Sequence, residues 1–175
     1  MKEIRADYDD QSIVVYQAYS PAIADPALRA QRFVPPFKLT RMTWIKPSFL
    51  WMMYRCGYAT KQDQERVLAI RITREGFDWA IANAVSSRIP GKPQVRVQWD
   101  PERGLNHEAL NHRSIQIGLT GEAAHRYVNE WTLSITDLTE RAREIHQHVR
   151  ARDLDKAQAL LPPERPYGTS TAQNA

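Results

Sequence analysis

One cysteine, Cys56, in 175 residues excludes an internal disulfide and any thiolate metal cluster within one chain, and fits a reducing compartment. Cys56 lies inside an apolar run with no histidine directed at it, so it reads as a small buried hydrophobe in preference to a nucleophile. No stretch approaches the ~20 uninterrupted apolar residues of a membrane helix. The opening MKEIRADYDDQ is charged where a signal peptide is apolar, so the expected location is cytoplasmic with no membrane partner. Like charges never run to five or six, which argues against a disordered basic arm. There is no P-loop, GxGxxG, GxSxG or HExxH pattern, which weakens kinase, Rossmann, hydrolase and zincin readings. The histidines offer no metal set: His146 and His148 point to nearly opposite sides of a helix, and His107 with His112 fits no ligand spacing, so no metal is expected.

What is present is a globular balance, with 42% apolar and 25% charged residues and a mean hydropathy of -0.57. A chain of this length forms one domain that can hide about two-thirds of its unfolded surface. The net charge of +4 is carried mostly by arginine, whose planar donor fork suits phosphate or carboxylate, and it tilts the choice of ligand toward anions.

Along the chain, SIVVYQAY (Ser12–Tyr19) alternates as a strand, with Gln17 a polar group on a face that otherwise looks buried. Ser20-Pro21 opens a helix to about Gln31, with Pro26 inside it. FVPPF is an extended bridge, Met42–Ile45 a short strand, and Lys46-Pro47-Ser48 starts a helix that Gly57 ends. Further strands are expected at Glu65–Thr73, Gln94–Trp99, Ser114–Leu119 and Trp131–Thr136. Further helices are expected at 74–85, from Gly121 to Tyr127 or Glu130, to about Arg152 behind a capping box at Asp137–Glu140, and at 154–161. Asp100–Gly104 reads as the start of a polar loop, with a helical turn within 105–113. The sum is one α+β domain over residues 1–161, a small mixed, mostly antiparallel sheet with flanking helices, and a disordered tail over 162–175.

The chemistry concentrates between Pro35 and Arg74, where large rings alternate with cations. A helix N-terminus at Pro47-Ser48, preceded by Lys46, favours an anion. Lys38, Arg41 and Arg55 add cationic donors, and Trp44 or Trp51 could stack on a base. Together they point to a phosphate-bearing ligand, whether a nucleotide, NAD or a nucleic acid. In the enzymatic version Gln17, Tyr16 or Ser48 orients the reacting group. Glu65, Asp100, Glu102 and Glu130 are the available acids or bases, although each taken singly reads as solvated or ion-paired. Three alternatives stay open: Trp44, Trp51, Met52 and Met53 are core with cations reaching past them to water, the chain is a non-catalytic RNA or single-stranded DNA module, or the aromatic stretch is a protein interface.

The words VYQAYS (15–20), PPFKLTRMTWIKPSFLWMMYRCGYA (35–59), QERVLAIRITREGF (64–77), VQWDPER (97–103) and HRSIQIGL (112–119) resemble the family catalogued as domain of unknown function 4291. The resemblance runs from about Arg5 to Arg150 and implies a single-domain cytoplasmic protein with its signature on the stretch just described. At fold level, a small mixed sheet with Tyr16, Gln17, Arg41 and Ser48 near a cleft is similar to the ADP-ribosyltransferase arrangement, which binds NAD between two small sheets. The ordered arginine or histidine, serine or tyrosine, and late glutamate of that arrangement are not evident, Glu130 being the sole late candidate.

Overall fold

The computed structural model describes residues 1–168. In chain order its strands are β1 (Arg5–Ala6), β2 (Ser12–Tyr19), β3 (Thr43–Ile45), β4 (Arg66–Thr73), β5 (Val85–Ser86), β6 (Val95–Arg103), β7 (Ala109–Leu119), β8 (Thr132–Asp137) and β9 (Arg165–Pro166). Its helices are α1 (Pro21–Ala30), α2 (Phe49–Cys56), α3 (Arg74–Ala82), α4 (Gly121–Arg126), α5 (Thr139–Arg150) and α6 (Leu154–Ala159), and a π-helical turn, Tyr127–Trp131, follows α4.

One antiparallel sheet runs β2-β4-β8; a second runs β3-β7-β6-β5, antiparallel except for the β5–β6 pair; β1 and β9 form a two-stranded ribbon. This is a single α+β domain with small, mostly antiparallel sheets and flanking helices. The two larger sheets meet where the Tyr16 amide of β2 donates to the Lys46 carbonyl just past β3, at 2.7 Å.

Period-two alternation explains why β2 is buried on both faces. Ile13 and Val15 join Leu68, Ile70, Ile72 and Ile135 in a core shared with β7, α3 and α4. Val14 and Tyr16 face the other way, with Val67, and are covered by Phe49, Met52, Met53 and Cys56 of α2 and by Ala142, Ile145 and Val149 of α5. Cys56 is fully buried, and burial pushes its thiol pKa up. The apolar half of the aromatic stretch is therefore core.

Local signals set the helix ends. The Ser48 hydroxyl accepts from the Trp51 amide at 3.1 Å, and Gly57 closes α2 in the left-handed region at φ 62°. The Thr73 hydroxyl caps α3 by accepting from Gly76 at 3.1 Å. At Gly76 an added β-carbon would lie 2.4 Å from Cγ of the buried Trp131 ring. Gly76→Ala is therefore expected to cost about 3 kcal/mol, read as a lowered urea midpoint; an unchanged midpoint would mean the indole moves freely.

Several sequence expectations are corrected. The polar loop at Asp100–Gly104 is strand: β6 continues to Arg103 and pairs with a β7 that already begins at Ala109. Pro101 is tolerated because β5 pairs only with Arg96 and Val97, leaving β6 with a free edge there, and because the register shifts between Pro101 and Arg103. The α3 pattern ends at Ala82, and Trp131 closes the π-helical turn without entering β8. No capping box starts α5; instead Asp137 accepts from the Thr139 amide at 2.9 Å. The expected disorder fails for the first part of the tail. Arg165 and Pro166 pair with Ala6 and Arg5, and buried Tyr167 packs on Tyr8 and Phe77 at ring separations of 4.9 and 5.5 Å. Averaged composition hid one large ring with a socket waiting for it. The expected disorder of residues 169–175 lies outside the described residues.

Candidate functional site

Folding separates the residues that the sequence groups together. Gln17 is a saturated core amide: its nitrogen reaches Thr43 Oγ1 at 2.6 Å, Tyr19 Oη at 3.0 Å and the Trp44 carbonyl at 3.1 Å, while its oxygen accepts from Tyr127 Oη at 2.6 Å. It fixes the junction of the two sheets, with both amide hydrogens committed to these partners. Glu130 is exposed and paired with Arg126 at 3.2 Å. Trp44 is half-buried across Gly118, where a β-carbon would lie 3.0 Å from the indole. Trp51 is buried. Lys38, Arg41 and Arg55 are exposed.

Lys46 is buried. Its ammonium donates to the Trp44 carbonyl at 3.0 Å and sits 5.7 Å from the Trp51 ring. Burial, and secondarily the Arg55 charge, brings its pKa down to about 7. Lys46, Arg41, Arg55, Lys38, Trp44 and Trp51 line none of the three clefts described below.

Ser48 does reach a cleft, together with residues from distant parts of the chain. A cavity of about 360 Å³ opens at the N-terminal end of α2, lined by Ser48, Glu102, Glu164, His112, Arg5 and Arg103 among others. The Ser48 hydroxyl donates to Glu102 Oε1 at 2.9 Å, and the same oxygen accepts from the Arg103 amide at 2.9 Å. Glu164, brought in by the β1–β9 ribbon, accepts from the Phe49 amide at 3.1 Å. Arg5 anchors the segment from the other side by donating to the Glu164 carbonyl at 3.2 Å.

The two carboxylates have different environments. Loss of hydration raises the Glu102 pKa, while the Arg103 amide and Ser48 hydroxyl hold the ionised form and work against the rise. Glu164 receives one amide in compensation; desolvation first, and the nearby Glu102 and Asp7 charges after it, push its carboxyl up to about 8. At neutral pH one carboxyl holds a proton beside another that has donors fixed on it. Such a pair can give and take protons within one small cleft.

There are two further hollows. Pro162 and Pro163 also border a cavity of about 210 Å³ on the α2–α5 side of the β2-β4-β8 sheet, lined by Tyr16, Arg71, Ser134, Thr136 and Arg141. An open cleft of about 800 Å³ lies along β6, with Lys2, Arg88 and Arg113 around Trp99 and the Lys2 ammonium 5.5 Å from the indole. Among the described residues no three His, Cys, Asp or Glu side chains gather to hold a metal ion.

A family model described as a domain of unknown function, DUF4291, matches residues 3–167. The chain belongs to that family. No curated protein and no solved structure matches it. The DUF4291 match takes in both cleft carboxylates and ends at Tyr167, the ring that fastens the C-terminal segment.

Sequence reasoning named Ser48 and Glu102 but missed Glu164, Arg5 and His112. Glu164 stands within a Pro-rich segment read as disordered, so no local signal marks it; only the pairing with β1 does.

Proposed function

We propose that this chain is an acid–base enzyme for a small polar ligand, with the cleft between α2 and the C-terminal segment as its site. Glu164 supplies the proton and Glu102 receives one, while Ser48 orients Glu102. The observation that carries this reading is the convergence of two carboxyls largely withdrawn from water and differently compensated on one helix start in a ligand-sized cavity. It keeps the helix N-terminus at Ser48 that the sequence singled out and replaces the surrounding cations with carboxylates. Nucleotides, NAD included, belong to the ligand class by size and polarity.

The test follows the glutamate side-chain carboxyl carbons by NMR from about pH 4 to about pH 10, with and without a panel of sugars, nucleosides, nucleotides and NAD. One glutamate is expected to titrate near 8 and to vanish from the spectrum in Glu164→Gln. A binding compound is expected to move that titration and to bind more weakly to Glu102→Gln. Ordinary titration of every glutamate, or a panel that leaves the curve still, defeats the reading.

A second reading, non-catalytic binding of RNA or single-stranded DNA, is favoured by the open cleft around Trp99, where three cations surround a ring. A short single-stranded RNA in the same panel separates the two, because its binding would fall with salt and with Trp99→Ala and would leave the glutamate titration unmoved.

A further inference from the structure

The hollow beside the carboxylate cleft has a floor set by strand register. Tyr16, Ala69 and Thr136 stand in one row across β2, β4 and β8, and Val14, Arg71 and Ser134 stand in the next. The short Ala69 at the centre of the first row leaves the depression, with the Tyr16 and Thr136 hydroxyl-bearing chains on either side. Arg141 of α5 and Pro162-Pro163 form its walls.

Tyr16 is 1% exposed, its ring held edge-on to Phe49 at 5.4 Å, and its hydroxyl, which is not among the sealed-off polar atoms of the interior, belongs to the lining of the hollow. Around it are the hydroxyls of Ser134 and Thr136 and two guanidiniums. Arg71 spends one nitrogen on Ser12 Oγ at 2.7 Å and lies 3.7 Å from Asp9, and Arg141 makes no ion pair among the described residues. Asp7 is the one carboxylate in the lining, so cations outnumber it. Three hydroxyls and two planar donor forks around a hollow of this size suit a compact oxyanion.

We propose that this hollow is a phosphate subsite and that it receives the phosphate group of the ligand whose reacting part lies beside Glu102 and Glu164. The proposal rests on the acid–base reading for the second half of that ligand, and on the sheet-face residues alone for the first. Tyr16 donates its hydroxyl to a phosphate oxygen, Arg141 closes over the group as its main counter-charge, and Arg71 adds its uncommitted nitrogens. Pro162-Pro163 borders both hollows, so a sugar phosphate or nucleoside monophosphate would pass this wall with its phosphate on the sheet side and its hydroxyls on the carboxylate side.

The test is calorimetric titration of the full chain with ribose 5-phosphate, ribose and inorganic phosphate. Ribose 5-phosphate is expected to bind at least tenfold more tightly than ribose. Inorganic phosphate is expected to compete with it. Arg141→Ala, a change at an exposed position, is expected to weaken ribose 5-phosphate about tenfold and to abolish the competition, and Tyr16→Phe, which keeps the ring, is expected to weaken it about fivefold. Equal affinity for ribose and ribose 5-phosphate, a preference that survives Arg141→Ala, or no binding of either phosphate at about 10 mM overturns the subsite. A glutamate that titrates near 8 alongside any of those results leaves the acid–base reading standing, and phosphate binding through Arg141 with ordinary glutamates does the reverse.

Discussion

Lys46→Met is expected to stabilise the protein at pH 7 by about 2 kcal/mol, a rise of about 5 °C in Tm for a chain of this length. The ammonium is buried beside Trp51 and makes no ion pair with a carboxylate among the described residues. The fall in its pKa from 10.5 to about 7 corresponds to about 5 kcal/mol between the two protonation states. Because the folded pKa is depressed, the stability of the neutral amine is fully present above 10.5 and is lost as pH falls toward 7. Methionine has a similar reach and no charge to hydrate. What it gives up is the 3.0 Å bond to the Trp44 carbonyl, and that carbonyl keeps a second donor in Gln17 at 3.1 Å. The gain should therefore shrink as the measurement moves from pH 7 to about pH 11, where the lysine is mostly neutral in both states. Urea melts at the two pH values check it; a variant less stable than wild type at pH 7 would show that the charge is better solvated than its burial indicates.

Lys46 also shows where sequence reading stops. Its position just before a helix start is legible, and α2 forms with its cap at Ser48 and its stop at Gly57 as local chemistry requires. The direction of the side chain is not legible, since a lysine before a helix can face a ligand or a core with the same neighbours in sequence. Strands with strong alternation, β2 and β4, are readable for the same local reason: Val67, Ala69 and Arg71 share one face and Leu68, Ile70 and Ile72 the other. The β6–β7 hairpin is not, because Pro101 looks like a loop residue until the partner strand is known. The site divides in the same way. Ser48 announces itself through its cap, and Glu102 is one of several equivalent carboxylates. Glu164 lies 115 positions from the amide it meets, a contact that only the β1–β9 ribbon creates.

Glu164→Gln is expected to flatten the dependence of stability on pH and to remove the proposed proton donor without altering the fold. The wild-type carboxyl has its pKa raised from 4.5 to about 8, so the protonated form is the one the cleft accepts. The sign follows: this group's contribution is fully present below 4.5 and is lost as pH rises through 8. With allowance for water reaching a half-buried side chain, the loss is about 3 kcal/mol. Glutamine matches the neutral acid in shape and keeps an oxygen for the Phe49 amide, so it has no carboxylate to expose to Glu102 and Asp7 at high pH. Wild type and variant should be nearly equal in urea at about pH 4.5, and the variant should lead by about 3 kcal/mol at about pH 9. Glu102→Gln provides the contrast. Desolvation is the main cause of the raised Glu164 pKa, and this variant removes the charge that adds to it, so the remaining Glu164 titration should move down in part, while the Ser48 hydroxyl keeps an amide oxygen to donate to. Two variants of one cleft, one abolishing a titration near 8 and the other lowering it, are the signature of a coupled carboxyl pair; parallel stability curves for all three proteins would mean that Glu164 is hydrated and that the cleft has no proton to give at neutral pH.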